Sequence, residues 1–100
     1  MKTITPKELK KLIDDKADFQ LIDVREESEF DEMNINGHLI PMGEVMDRAD
    51  EISKTKQVVV HCRSGKRSAS VISVLESQLG YTNLYNLEGG IMAYSDEIGI

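Results

Sequence analysis

Apolar residues recur along this chain with two alternating periods. A short extended piece, Lys2 to Thr5, leads into a helix start, with Thr5 as cap, Pro6 at the first helical position and Glu8 placed for a reciprocal capping bond. Leu9, Leu12 and Ile13 then follow at helical spacing, with Lys10, Lys11, Asp14 and Asp15 on the other face, which predicts a helix to about residue 16. Phe19 to Val24 predicts a buried strand, and Arg25 to Met33 an acidic loop with a short helical turn. Gly37 and Pro41 bracket a brief extended run, His38-Leu39-Ile40. Val45, Met46, Ala49 and Ile52 repeat at three and four, predicting a second helix from Met42 to about Ser53. Gln57 to His61, with its Val58-Val59-Val60 triplet, is the strongest strand. A third helix is expected from about Ser68 to Leu79, closed by Gly80 in a left-handed turn. A last short strand lies within Tyr81 to Leu87, and a turn at Glu88-Gly89-Gly90 leads to a final helix from Ile91 to Ile98. Strands that alternate with helices favour an α/β domain, its sheet mostly parallel and covered by helices on both faces.

Composition narrows the classes. The chain has 100 residues, without a repeat or a linker, and is expected to be a single domain over residues 1–100. No apolar stretch approaches the ~20 residues of a membrane span, and the start, Met1 to Glu8, becomes charged again at Lys7-Glu8 before an apolar core can form, which argues against an export signal. A single cysteine, Cys62, needs no oxidising compartment, so a cytoplasmic location is expected. With 18 acidic against 12 basic residues and a net charge of −6, a nucleic-acid surface is disfavoured.

The basic minority is unevenly placed. Arg63, Lys66 and Arg67 follow Cys62 within five residues, so a +3 loop sits in a remainder of −9. In open α/β sheets, sites form where strands end at their carboxyl edge and lead into helix N-termini, which is the place of His61-Cys62-Arg63-Ser64-Gly65-Lys66-Arg67-Ser68. Such a loop can turn successive N–H groups inward as an anion-binding nest, and Gly65 supplies the backbone freedom this needs. A cysteine at its floor, near a helix N-terminus and cations, is a candidate reactive thiolate.

Two other anion-binding loops are tested by counting, and this segment departs from both. The Walker phosphate loop requires glycine where Val60 stands and Ser or Thr where Arg67 stands. The cysteine-phosphatase signature requires arginine six residues after the cysteine, where this chain has Ser68, with Arg67 one position early. The shorter ring leaves less room for a tetrahedral phosphate and suits one additional sulfur on Cys62.

Over its full length the chain resembles the rhodanese family of sulfurtransferases in single-domain form. Leu21-Ile22-Asp23-Val24-Arg25-Glu26 with Glu29-Phe30 is similar to the family's first motif and Gly37-His38-Leu39-Ile40-Pro41 to its second. Cys62 to Ser68 resembles its active-site loop, and Glu88-Gly89-Gly90-Ile91 with Tyr94 its closing motif, where Trp is commoner than Tyr94. The resemblance implies a three-layer fold with about five strands. It also implies transfer of sulfane sulfur from thiosulfate or a related persulfide donor, through a Cys62 persulfide, to a nucleophilic thiol, cyanide or protein acceptor. Arg63, Ser64, Gly65, Lys66 and Arg67 are then the substrate-binding candidates, with Arg63 and Lys66 recognising the donor and Arg67 bracing the loop or pairing with an acid.

Asp23 and Arg25 are expected to brace loops, His38 to be a structural histidine, and His61 to point away from the thiol. The acidic run Glu26 to Glu32 is expected to be a solvated face. No cofactor is called for, and His38, His61 and Cys62 lack metal-site spacing. Pro41-Met42-Gly43-Glu44 is similar to rhodanese domains joined to the activating enzymes of molybdopterin synthesis, which favours a dedicated persulfide relay to a protein partner as the alternative. A non-catalytic recognition module and a phosphatase or arsenate reductase rank lower.

Overall fold

The computed structural model describes all 100 residues. Five parallel strands form one sheet in the order β1-β5-β4-β2-β3: β1 Thr3–Ile4, β2 Phe19–Asp23, β3 His38–Leu39, β4 Gln57–His61 and β5 Leu84–Leu87. The helices are α1 Pro6–Asp14, α2 Glu27–Glu32, α3 Lys66–Leu79 and α4 Gly90–Glu97. The valine triplet places β4 at the centre because its alternate side chains serve different faces. Val58 and Val60 pack with Val71, Ile72 and Leu75 of α3 and with Val45 and Ile52; Val59 packs on the other face with Leu9 of α1 and Tyr94 of α4. These are the expected three layers. No helix is long and apolar enough to cross a membrane.

The capping box that begins α1 is present: the Glu8 N–H donates to Thr5 Oγ1 at 3.1 Å and the Thr5 N–H to Glu8 Oε1 at 2.9 Å. Gly80 closes α3 at φ +69°. Several boundaries move: helix α1 ends at Asp14, α3 begins two residues before Ser68, and β5 begins only at Leu84, the Tyr81 N–H being spent on the Leu75 carbonyl near the end of α3. The acidic segment holds a true helix, α2, with its own capping box between Glu26 and Glu29.

The predicted helix over 42–53 is absent; two 3₁₀ turns, Met42–Glu44 and Ala49–Glu51, replace it. Its backbone groups have other partners. The Met42 N–H donates to the Val24 carbonyl, Tyr81 Oη donates to the carbonyls of Ala49 and Ile52, and Gln20 Nε2 donates to that of Glu51. The apolar spacing reported the buried face correctly, since Val45 and Ile52 are in the core, but the Ser53 N–H and the Ala49 carbonyl, which a helix would pair with each other, go to Gln20 Oε1 of β2 and to the Tyr81 hydroxyl before β5.

Candidate active site

Strand β4 ends by delivering Cys62 to the carboxyl edge of the sheet, and α3 starts four residues later. Gly65, at φ +105°, is the turn that makes this possible. It brings its own N–H to 3.1 Å from Cys62 Sγ, while the Ser68 N–H and hydroxyl, from the first turn of α3, lie at 3.5 and 3.4 Å. Cys62 is 1% exposed, at the floor of the loop. Burial opposes its ionisation, yet hydrogen bonds from the Ser68 hydroxyl and from the N–H groups of Ser68, Gly65 and Ser64 outweigh it, so the thiol lies below its ordinary value. Preset donors at a helix start, more than the cations expected from sequence, hold the charge, with Arg67 acting on the sulfur only through its charge.

A second device faces the carbonyls away from the sulfur. The N–H groups of Ile91 and Met92, at the start of α4, donate to the carbonyls of Cys62 and Arg63 at 2.9 and 3.1 Å. Gly90 permits the approach: at φ +61°, a Cβ there would lie 2.4 Å from the Arg63 oxygen.

Of the residues expected around the cysteine, Arg63, Ser64 and Lys66 are exposed, and no ion pair engages Arg63 or Lys66. Arg67 is placed differently. Its guanidinium donates to both carboxylate oxygens of Glu29 at 2.7 and 2.9 Å, bracing α3 against α2. Glu29 is therefore not simply part of a solvated face. The Arg67 hydrogen bonds, opposed by burial, hold its carboxyl at about 2. A depressed carboxylate pKa adds stability that is complete above the unfolded value near 4.5 and is lost as pH falls toward 2. The Glu29→Gln variant is expected to lose this acid dependence, flattening the fall of the urea midpoint between pH 5 and 2; an unchanged slope would remove the pair from acid stability.

Beneath the loop, Asp23 and Arg25 form a buried ion pair at 2.8 Å, and Arg25 also donates to the carbonyls of Glu29 and Met33. They brace the loops, as expected. His61 is buried beside them, its Nε2 3.6 Å from Asp23 Oδ2 and its Nδ1 3.3 Å from the Cys62 carbonyl. Burial pushes its pKa down against the pull of Asp23, and neither ring nitrogen bonds the sulfur, so it is no base for Cys62. Exposed His38 donates its Nε2–H to Glu51 Oε1 at 2.7 Å and bonds no residue of the cysteine loop.

Sequence reasoning missed Asn86 on β5, whose side chain contacts Ser68 and Gly65, and gave Ser68 no role beyond the helix start. A polar residue inside Leu84-Tyr85-Asn86-Leu87, near the carboxyl end of a core strand, was the available signal.

Fold and loop together define an α/β protein whose central strand presents a thiol in a nest of backbone donors. Residues 5–97 match the rhodanese-like domain family model. The chain belongs to the rhodanese-like domain family. It is 36% identical over 98 residues to a "Sulfurtransferase" of Allochromatium vinosum, covering 92% of this chain and 86% of that protein. A rhodanese-like domain protein of Staphylococcus aureus superposes with a TM-score of 0.87 at 36% identity, over 98% of this chain and 95% of the other. The "Probable adenylyltransferase/sulfurtransferase MoeZ" of Mycobacterium tuberculosis is 33% identical over 96% of this chain, which spans only 25% of that protein's length. These relatives support sulfurtransferase function in general.

Proposed function

We propose that the protein transfers sulfane sulfur through a persulfide on Cys62, with thiosulfate or a similar anionic persulfide donor as the source. The observation that carries this reading is the ring of Gly65 and Ser68 donors around the sulfur of buried Cys62, in a loop that also carries the exposed, unpaired cations Arg63 and Lys66. The Cys62 thiolate attacks the outer sulfur of thiosulfate; the S–S bond breaks and sulfite leaves with its electron pair. A thiolate, cyanide or a protein acceptor then attacks the outer sulfur of the persulfide, and the thiolate returns to Cys62. Each step makes or releases an anionic sulfur, which preset N–H donors stabilise as they would an oxyanion. The exposed cations draw in a dianionic donor.

A dedicated relay to a protein acceptor is the second reading, and the MoeZ-like coverage together with Met42-Gly43 after Pro41 favours it. Turnover assays separate the classes. Sulfite release from thiosulfate with cyanide as acceptor, and no release of phosphate from an aryl phosphate, is the expected result; phosphate release without sulfur transfer would overturn the proposal. Lys66→Glu is expected to raise KM for thiosulfate about tenfold and to leave transfer from an uncharged persulfide donor within about twofold. Equal losses with both donors would remove Lys66 from donor recognition.

A further inference from the structure

The Ser68 hydroxyl has one proton and several acceptors: Asn86 Oδ1 at 2.6 Å, the Gly65 carbonyl at 3.2 Å and Cys62 Sγ at 3.4 Å. The Asn86 amide sits between two of the groups that build the nest, because its Nδ2 donates to the Gly65 carbonyl at 3.1 Å while its Oδ1 faces Ser68. The amide has one favourable orientation, since exchanging its ends would set Oδ1 against the Gly65 oxygen. Its own backbone is fixed on both sides, with its N–H donating to Lys2 and its register set against Thr3 of β1 and Val60 of β4.

We propose that Asn86 is a positioning residue for sulfur transfer, its amide orienting the Gly65 peptide and the Ser68 hydroxyl so that their donors converge on Cys62 Sγ. The inference rests on the persulfide reading above. The Gly65 carbonyl, held by Asn86 and by the Ala69 N–H, is turned away from the sulfur, and the Gly65 N–H on the neighbouring peptide is thereby kept at 3.1 Å from Sγ. The Ser68 hydroxyl is held within reach of both Asn86 and the sulfur. While Cys62 carries its proton, the hydroxyl donates to Asn86; when the sulfur is anionic, a rotation about the C–O bond turns the same proton to Sγ. The proton lost on ionisation is that of the Cys62 thiol, released to solvent, while Ser68 keeps its own throughout.

The near-isosteric variant Asn86→Asp makes every consequence run one way. Its carboxylate holds the Ser68 proton more strongly and faces the Gly65 carbonyl without a donor. The thiolate absorbance titration of Cys62 is expected to move up by about one pH unit or more. The kcat for sulfur transfer is expected to fall at least about tenfold, with KM for thiosulfate within about twofold because Arg63 and Lys66 are untouched. In a Ser68→Ala background, Asn86→Asp should add less than half of that loss in log kcat, since no hydroxyl remains to withdraw. An unmoved titration, or a full additional loss in the Ser68→Ala background, would reduce Asn86 to a strand residue or a remote charge and overturn the proposal. Asn86→Leu covers a failure of the aspartate variant to fold: kcat about tenfold down at constant KM supports the proposal, and kcat within twofold of wild type refutes it. The titration needs no sulfur donor. A wild type that never gains sulfur would therefore defeat the persulfide reading and leave the effect of Asn86 on the thiol separately decided.

Discussion

Gly90→Ala is expected to cost about 3 kcal/mol of stability and to abolish most sulfur transfer in whatever protein remains folded. Two penalties act on one atom. The backbone at position 90 has φ +61°, where a side chain is disfavoured, and the added Cβ would meet the Arg63 oxygen at 2.4 Å and the Cys62 oxygen at 2.7 Å. Those are the carbonyls held by the N–H groups of Met92 and Ile91, so relief of the clash must push α4 off the loop and let the carbonyls turn. Against a total stability of ~5–15 kcal/mol, such a loss is large. Gly43→Ala is the matched control, because nothing lies within 4 Å of a Cβ there. Chemical denaturation checks the contrast: a midpoint for Gly90→Ala equal to that of Gly43→Ala would mean that the helix start does not press on the loop.

Cys62→Ser is expected to remove sulfur transfer by at least about a thousandfold while leaving the fold intact. The replacement is smaller by little and sits among donors, so the Gly65 and Ser68 N–H groups keep an acceptor at the floor of the loop. A hydroxyl there cannot ionise usefully and cannot hold sulfane sulfur. Steady-state turnover with thiosulfate and a melting curve read the two halves of the expectation. Residual turnover within tenfold of wild type would place the chemistry elsewhere.

Much of this site could be read from sequence because it is local. Cys62, Gly65 and the start of α3 fall within one strand, loop and helix, and the turn that a strand-to-helix passage needs is announced by its glycine. The same holds for the capping box at Thr5 and Glu8 and for Gly80 at the end of α3. What could not be read depends on groups brought from far along the chain. Arg67 meets Glu29 across 38 residues, Asn86 meets Ser68 across 18, and the start of α4 reaches back to Cys62. The missing helix after Met42 has the same origin: its apolar period is real, but Gln20 and Tyr81, distant in sequence, take the Ser53 N–H and the Ala49 carbonyl that the helix would have paired. Local patterns thus located the candidate nucleophile, while tertiary contacts decide how its thiol is held. For the thiol these are hydrogen bonds more than cations, with Arg67 already committed to Glu29 and Arg63 and Lys66 left exposed.

The central claim is that Cys62 carries the transferred sulfur. Intact mass of the wild type beside Cys62→Ser, after exposure to thiosulfate and again after cyanide, tests it most directly. The expected result is a gain of one sulfur atom by the wild type alone, lost on treatment with cyanide. A sulfur adduct on both proteins, or on neither, would contradict the account.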